Sequence, residues 1–291
     1  MVSLQKPRVP TPHSTKGWGE RVDIKTIEKT PVPALGPDTW RPLPHAAFTQ
    51  MVEQAFERHG FEISEPTHYR ANSRKKNADL IRDLPEWGRF LSLYGIAHAR
   101  LPFVKGLWWE AGAMNSYDMS LAAALGGGER MEQCANGQFL YASAGFRRKH
   151  TSGIDRHRDG LFHHIYDLVD HSIGQLFTQL DDRADRIERM QRIECTDDDA
   201  RYIIMQSAKK DIIGAAGTMK VLEHWETPEH AEFKDRNVWS LNNAFTSHDR
   251  GRNVLTQSLR FHKLDTILNE RFGPELSGDS PDLVTNSAAE F

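Results

Sequence analysis

Apolar residues recur along this chain with two different periods, and the changes between them mark its parts. From His45 to Arg58, the residues Phe48, Val52, Ala55 and Phe56 return at three- and four-residue intervals, which predicts a helix stopped by His59-Gly60. The period then falls to two. Phe61 to Ser64 and His68 to Arg70 alternate as strands do, ahead of a polar turn from Asn72 to Asn77. Arg89 to Arg100 and Gly106 to Ser116 read as two further strands, joined by Leu101 to Lys105, where Pro102 suits a hairpin. The stretch Ser120 to Leu125 combines a helix-favouring Leu-Ala-Ala-Ala-Leu run with extended flanks and is read as a strand. Gly126-Gly127-Gly128 is expected to turn the chain into a strand around Met131 to Ala135, with another short piece at Phe139 to Ala144.

From about Asp155 the helical period returns. Leu161, Ile165, Leu168, Val169, Leu176, Phe177, Leu180, Ile187 and Met190 form one stripe of a helix of roughly ten turns, long enough to lie across a sheet. Thr196-Asp197-Asp198-Asp199 has the form of an N-cap box and opens a helix through about Ala208; further helices run to Phe272, where Gly273-Pro274 stops the last. Upstream, Pro7, Pro10, Pro12, Pro31, Pro33, Pro37, Pro42 and Pro44 predict an extended arm with at most a short strand at Val22 to Ile27, wrapping the core or a neighbouring subunit. The expectation is an α+β fold: a mostly antiparallel sheet backed by a long helix, then a helical C-terminal subdomain. Its parts are an arm over 1–44, an α+β core over 45–192, a helical subdomain over 193–273 and a loose tail over 274–291.

Composition narrows the function. A chain of 291 residues with 38% hydrophobic content can bury a large core. Its formal charge of -3 argues against a simple DNA-coating protein, so any nucleic-acid affinity must come from local clusters among its 37 Lys and Arg residues. Two cysteines, Cys134 and Cys195, and the lack of an apolar leader point to the cytoplasm, with no disulfide framework. No apolar run approaches the ~20 residues of a spanning helix, so no membrane is expected as partner.

The strongest basic cluster is Arg147, Arg148, Lys149, His150, Arg156 and Arg158, opposed only by Asp155 and Asp159. A second comprises Arg70, Arg74, Lys75 and Lys76, and a third Arg250, Arg252, Arg260, His262 and Lys263. Each can hold phosphates while Tyr69, Tyr94 and Phe146 stack bases; the competing reading is of ordinary solvated turns. In Asn115-Ser116-Tyr117-Asp118, Asp118 is a candidate metal ligand or general base, against a reading in which these polar side chains satisfy backbone groups at a strand end. Cys134 reads as a small buried hydrophobe, and Asn136-Gly137 as a turn. His157, His164 and His171 stand seven residues apart, about 10 Å along a helix and too far to share one ion, although His163 with Asp167 or Asp167 with His171 can share one. No metal site is assigned, and magnesium at Asp118 is the only cofactor contemplated.

Asn115-Ser116-Tyr117-Asp118, Cys134-x-Asn136, His150-Thr151 and Trp239 to Asp249 together resemble the phage- and plasmid-borne domain-of-unknown-function-932 family, over roughly Arg89 to Phe272. The chain has Tyr117 where that family usually has His, and Met119 where it usually has Gly. The resemblance implies a gene of mobile elements and no particular reaction. The order of elements is also similar to that of single-strand annealing proteins of the Rad52/Red-beta type. Three classes of function follow: a DNA-metabolism protein that binds single strands as a homo-oligomer and anneals them; a metal-dependent enzyme on nucleic acid or nucleotide using Asp118; and a virion-associated or host-interaction assembly protein.

Overall fold

The computed structural model describes residues 19–34, 40–74, 80–131, 137–139, 146–148, 158–249 and 254–276. Among them are seven α-helices and an antiparallel sheet of eight strands, so the fold is α+β. The chain divides into two compact units, Met1–Asp181 with Arg250–Ser258, and Asp182–Asp249 with Leu259–Phe291.

The first unit is built on the sheet. Its strands are β1 (Glu20–Val22), β2 (Glu62–Ile63), β3 (Thr67–Ala71), β4 (Arg89–Ala97), β5 (Leu107–Ser116), β6 (Ala123–Met131), β7 (Gly137–Phe139) and β8 (Phe146–Arg148). The order is β1-β3-β4-β5-β6-β7, with β2 also pairing with β4 and β8 with β6. β4, β5 and β6 form its centre: Tyr94 lies opposite Ala111, and Ala111 opposite Gly127. On one face Phe90 and Tyr94 meet the helix α2 (His45–Arg58), through His45 stacked on Phe90 and Phe56 tilted against Tyr94. The same face receives α3 (Arg158–Arg192), whose Phe177 stacks on Phe61 at 4.7 Å. The opposite face carries a second apolar cluster of Tyr69, Ala71, Leu91, Leu93, Met114 and Ala124. Beside it lies the buried ion pair Arg130–Glu110, at 2.8 Å. Burial pushes the Glu110 carboxyl up, against the opposing pull of the Arg130 charge and hydrogen bond.

Two local readings need correction. The strand expected at Val22 to Ile27 is only β1, because Asp23 accepts a hydrogen bond from Thr26 N–H and caps the short helix α1 (Ile24–Glu28). The three glycines at 126–128 do not form a turn; they lie inside β6, paired with Gly112, Ala111 and Glu110. Their smallness serves packing. A Cβ at Gly127 would stand 2.9 Å from Leu176 of α3, so the helix approaches the sheet where side chains are missing. The stretch expected to be a strand from Ser120 starts at Ala123, and the strand expected around Met131 to Ala135 is the end of β6, with residues 132–136 outside the described chain. Of the piece read at Phe139 to Ala144, β7 includes Phe139 and the remainder lies outside the described residues.

The second unit is helical, with α4 (Asp197–Lys209), α5 (Ala215–Glu226), α6 (Val238–Asp249) and the later part of α7 (Val254–Phe272). The box read at Thr196 is present: its hydroxyl accepts from Asp199 N–H, and the Asp199 carboxylate accepts from Thr196 N–H. That carboxylate also accepts a fork of hydrogen bonds from Arg271. Burial pushes Asp199 up, but the bonds from Thr196 and Arg271 outweigh it and hold the carboxyl below the usual range. Helix α6 is buried almost all round, from Val238 to Thr246, as a helix at the centre of a bundle is. No described helix is long and apolar enough to cross a membrane.

Candidate functional site

The Asn115-Ser116-Tyr117-Asp118 segment ends β5, the second of the three central strands, and all four residues are buried. Each side chain has a definite partner. The Asn115 amide donates to Leu43 O at 2.7 Å and lies 3.1 Å from His45 Nδ1. An amide NH2 carries only donors, so Nδ1 accepts and the imidazole proton sits on Nε2. Asn115 Oδ1 has no hydrogen-bond partner among the described residues. The Tyr117 ring stacks on His45 with centroids 3.8 Å apart, and its hydroxyl accepts from His45 N–H at 3.0 Å. Helix α2 has Pro44 at its N-cap and no local side-chain cap. Tyr117, 72 residues away, supplies the acceptor that the first helical N–H would otherwise lack. Burial raises the Tyr117 hydroxyl to about 12, although the bond from His45 opposes this, so it remains a neutral phenol.

Ser116 and Asp118 close the loop after β5. Ser116 Oγ accepts from Leu121 N–H at 2.9 Å and donates to Leu121 O. Asp118 Oδ1 accepts from Ser120 N–H at 2.9 Å, and Oδ2 from Arg74 N–H at 2.6 Å. Both carboxylate oxygens are therefore engaged by backbone donors, which ties the exit of β3 to the β5–β6 connection. Between them, Met119 has φ +56, the left-handed region that favours glycine. The arrangement fits the reading in which these residues satisfy backbone groups, with Asp118 holding the loop through one backbone donor on each oxygen.

The basic clusters fare differently from one another. Arg147 and Arg148 lie in β8, opposite Ala124 and Ala123 of β6. Lys149, His150 and Arg156 lie outside the described residues, as do Lys75, Lys76, Cys134, Asn136, Arg250 and Arg252; of Arg158 only the helical backbone is described. Arg74 is exposed. Arg70 is engaged, donating to Glu20 at 2.8 Å and stacking over the Trp87 ring at 4.4 Å. Arg260 pairs with Asp249 at 2.7 Å, while His262 and Lys263 are exposed on α7. Two aromatics expected to stack bases cannot: Tyr69 is 2% exposed and Tyr94 fully buried, because their positions in β3 and β4 place them in the two apolar layers. Of the proposed metal pairs, His163, Asp167 and His171 are exposed along α3, and Asp170 is bound by Arg58 of α2. Among the described residues no three His, Cys, Asp or Glu side chains gather as a metal site would require.

Sequence reasoning missed Trp87. It stands beside Arg70 in a groove of about 400 Å³ lined by Thr26, Lys29, Thr30 and Pro31 on one side and Pro85, Glu86 and Trp87 on the other. Ser73 fixes the second wall: its hydroxyl donates to Pro85 O and accepts from Gly88 N–H, and its own N–H donates to Glu86 O. A Cβ at Gly88 would meet Ser73 Oγ at 2.3 Å, so this latch requires glycine. The signal in the sequence was the Leu-Pro-Glu-Trp-Gly stretch just before β4. Comparison with protein-family models, with curated proteins and with solved structures yields no match for this chain.

Proposed function

We propose that the protein binds single-stranded nucleic acid along β8 and the basic residues that follow it, acting as an oligomeric annealing protein of the mobile-element kind that its motif order resembles. One observation supports this reading above the others. The β6–β8 ladder holds Arg147 and Arg148 in a short strand that, among the described residues, pairs with β6 alone, and Lys149, His150, Arg156 and Arg158 follow in sequence. Cations on a fixed strand lose less freedom on meeting phosphates than cations on a free loop. A net charge of -3 confines the attraction to such a local cluster. Annealing asks for no catalytic residue: two strands held extended on a basic surface find their own pairing.

The test is fluorescence anisotropy of labelled single- and double-stranded oligonucleotides at low and moderate salt, with and without magnesium. The reading requires salt-dependent binding that favours single strands. Replacing Arg147, Arg148 and Lys149 together by Ala should weaken binding to all sequences alike and reduce the salt slope by roughly 0.7 for each phosphate that is no longer neutralised. Absence of binding at low salt, or a triple variant that binds as the parent does, overturns it.

A further inference from the structure

The groove at Trp87 lies at the other side of the sheet, away from β8. Its lining is mostly apolar and includes Trp87, whose ring carries the Arg70 guanidinium, with Pro31, Pro85, Thr26 and Thr30. Of its charged residues, Arg70 is committed to Glu20 and to the Trp87 face, while Lys29 and Glu86 stand exposed. Aromatic and proline side chains suit a proline-rich strand, since such a strand has little conformational freedom to lose and offers its rings to apolar surfaces, and the exposed Glu86 can meet one basic residue of that strand although Lys29 stands at the same groove. The chain contains such a segment: residues 6–12 read Lys-Pro-Arg-Val-Pro-Thr-Pro, with Pro7 and Pro10 in the P-x-x-P spacing. It precedes β1, and β1 begins at Glu20, whose carboxylate holds the Arg70 that lines the groove. Gly19, at φ +106, passes so close to β3 that a Cβ would overlap Arg70 O. The seven residues from 12 to 19 reach at most about 25 Å, enough to return to a groove that begins beside their own anchor.

We propose that this groove is the docking site of residues 6–12 of the same chain, with the rings of Pro7 and Pro10 against Trp87 and Pro85 and the Arg8 guanidinium at Glu86. A covalently attached segment meets the groove at an effective concentration of order mM, so weak contacts suffice. The proposal is independent of nucleic-acid binding at β8.

Trypsin acting on the intact protein provides the test, through the appearance of the fragment beginning at Val9. A docked segment shields the Arg8–Val9 bond, and cleavage then follows the undocked fraction. Trp87→Ala, Glu86→Arg and Pro10→Ala are each expected to speed this cleavage about tenfold, the factor that corresponds to nine-tenths docking. The Glu86 variant alters an exposed charge and the Pro10 variant lies in the segment itself, so they remain informative if Trp87→Ala unfolds. Equal rates in the parent and in the Glu86 and Pro10 variants overturn the proposal, whether because the segment is free or because it docks elsewhere. Protection in the parent that rises with protein concentration would assign the groove to a second copy's segment and overturn the same-chain assignment. Protection lost on adding a single-stranded oligonucleotide, and lost equally in the β8 triple variant, would assign the groove to nucleic acid instead.

Discussion

Single residues at the end of β5 carry consequences out of proportion to their size. Tyr117→Phe keeps the stack on His45 but leaves the first N–H of α2 buried without its acceptor. An orphaned buried donor costs roughly 1–3 kcal/mol, so the variant should lose that much stability in urea melts while its far-UV spectrum is retained. Met119 presents the opposite case. Its left-handed backbone costs a side-chain-bearing residue about 1–2 kcal/mol, part of which glycine gives back through its freer unfolded chain. Met119→Gly should therefore raise stability by up to about 1 kcal/mol; a fall would mean that the thioether packs more usefully than its backbone suggests.

At the scale of elements, the close approach of α3 to β6 depends on what Gly127 lacks. Gly127→Ala asks Leu176 to give way slightly and should cost little, whereas Gly127→Ile drives a branched side chain into Leu176 and Leu180 and should cost about 1–3 kcal/mol, read as a lowered melting temperature. This is also where the sequence misled. A run of three glycines reads as a turn by backbone preference alone, and only the helix lying over it reveals that the run is a flat path within a strand. Elements whose evidence is local were legible: the periodic stripe of α3, the box at Thr196, and the aromatic and apolar runs of β4 and β5 all emerge close to their expected bounds. The site was legible only in part. Asn115, Ser116 and Asp118 were singled out, but their partners Leu43, His45 and Arg74 lie far away in sequence, and no local pattern announces a tyrosine that caps a helix 72 residues upstream. Tyr69 and Tyr94 looked available because a strand's alternation does not reveal that both faces of its sheet are buried.

For the whole molecule, acid should be destabilising through a buried imidazole. His68 lies 2.6 Å from Ser92 Oγ, and burial holds its pKa below the ordinary value, with the Asp23 and Glu65 charges pulling the other way. The folded chain therefore binds fewer protons than the unfolded chain just below pH ~6.5, and stability falls as pH drops through that value toward the folded one. Glu110, raised by burial, has the opposite sign: its charged form is the disfavoured one, and acidification relieves it. His68→Gln should flatten the decline of melting temperature as pH falls below about 6.5; an unchanged slope would acquit His68. The tie between Tyr117 and His45 reaches further still. A serine cap travels with its helix, but the start of α2 is defined only once β5 has found its place, so the helix cannot be completed by its own sequence. In amide hydrogen exchange, the first turn of α2 and the last residues of β5 should open together at one free energy, as a single cooperative unit formed late because its halves must first close a long loop.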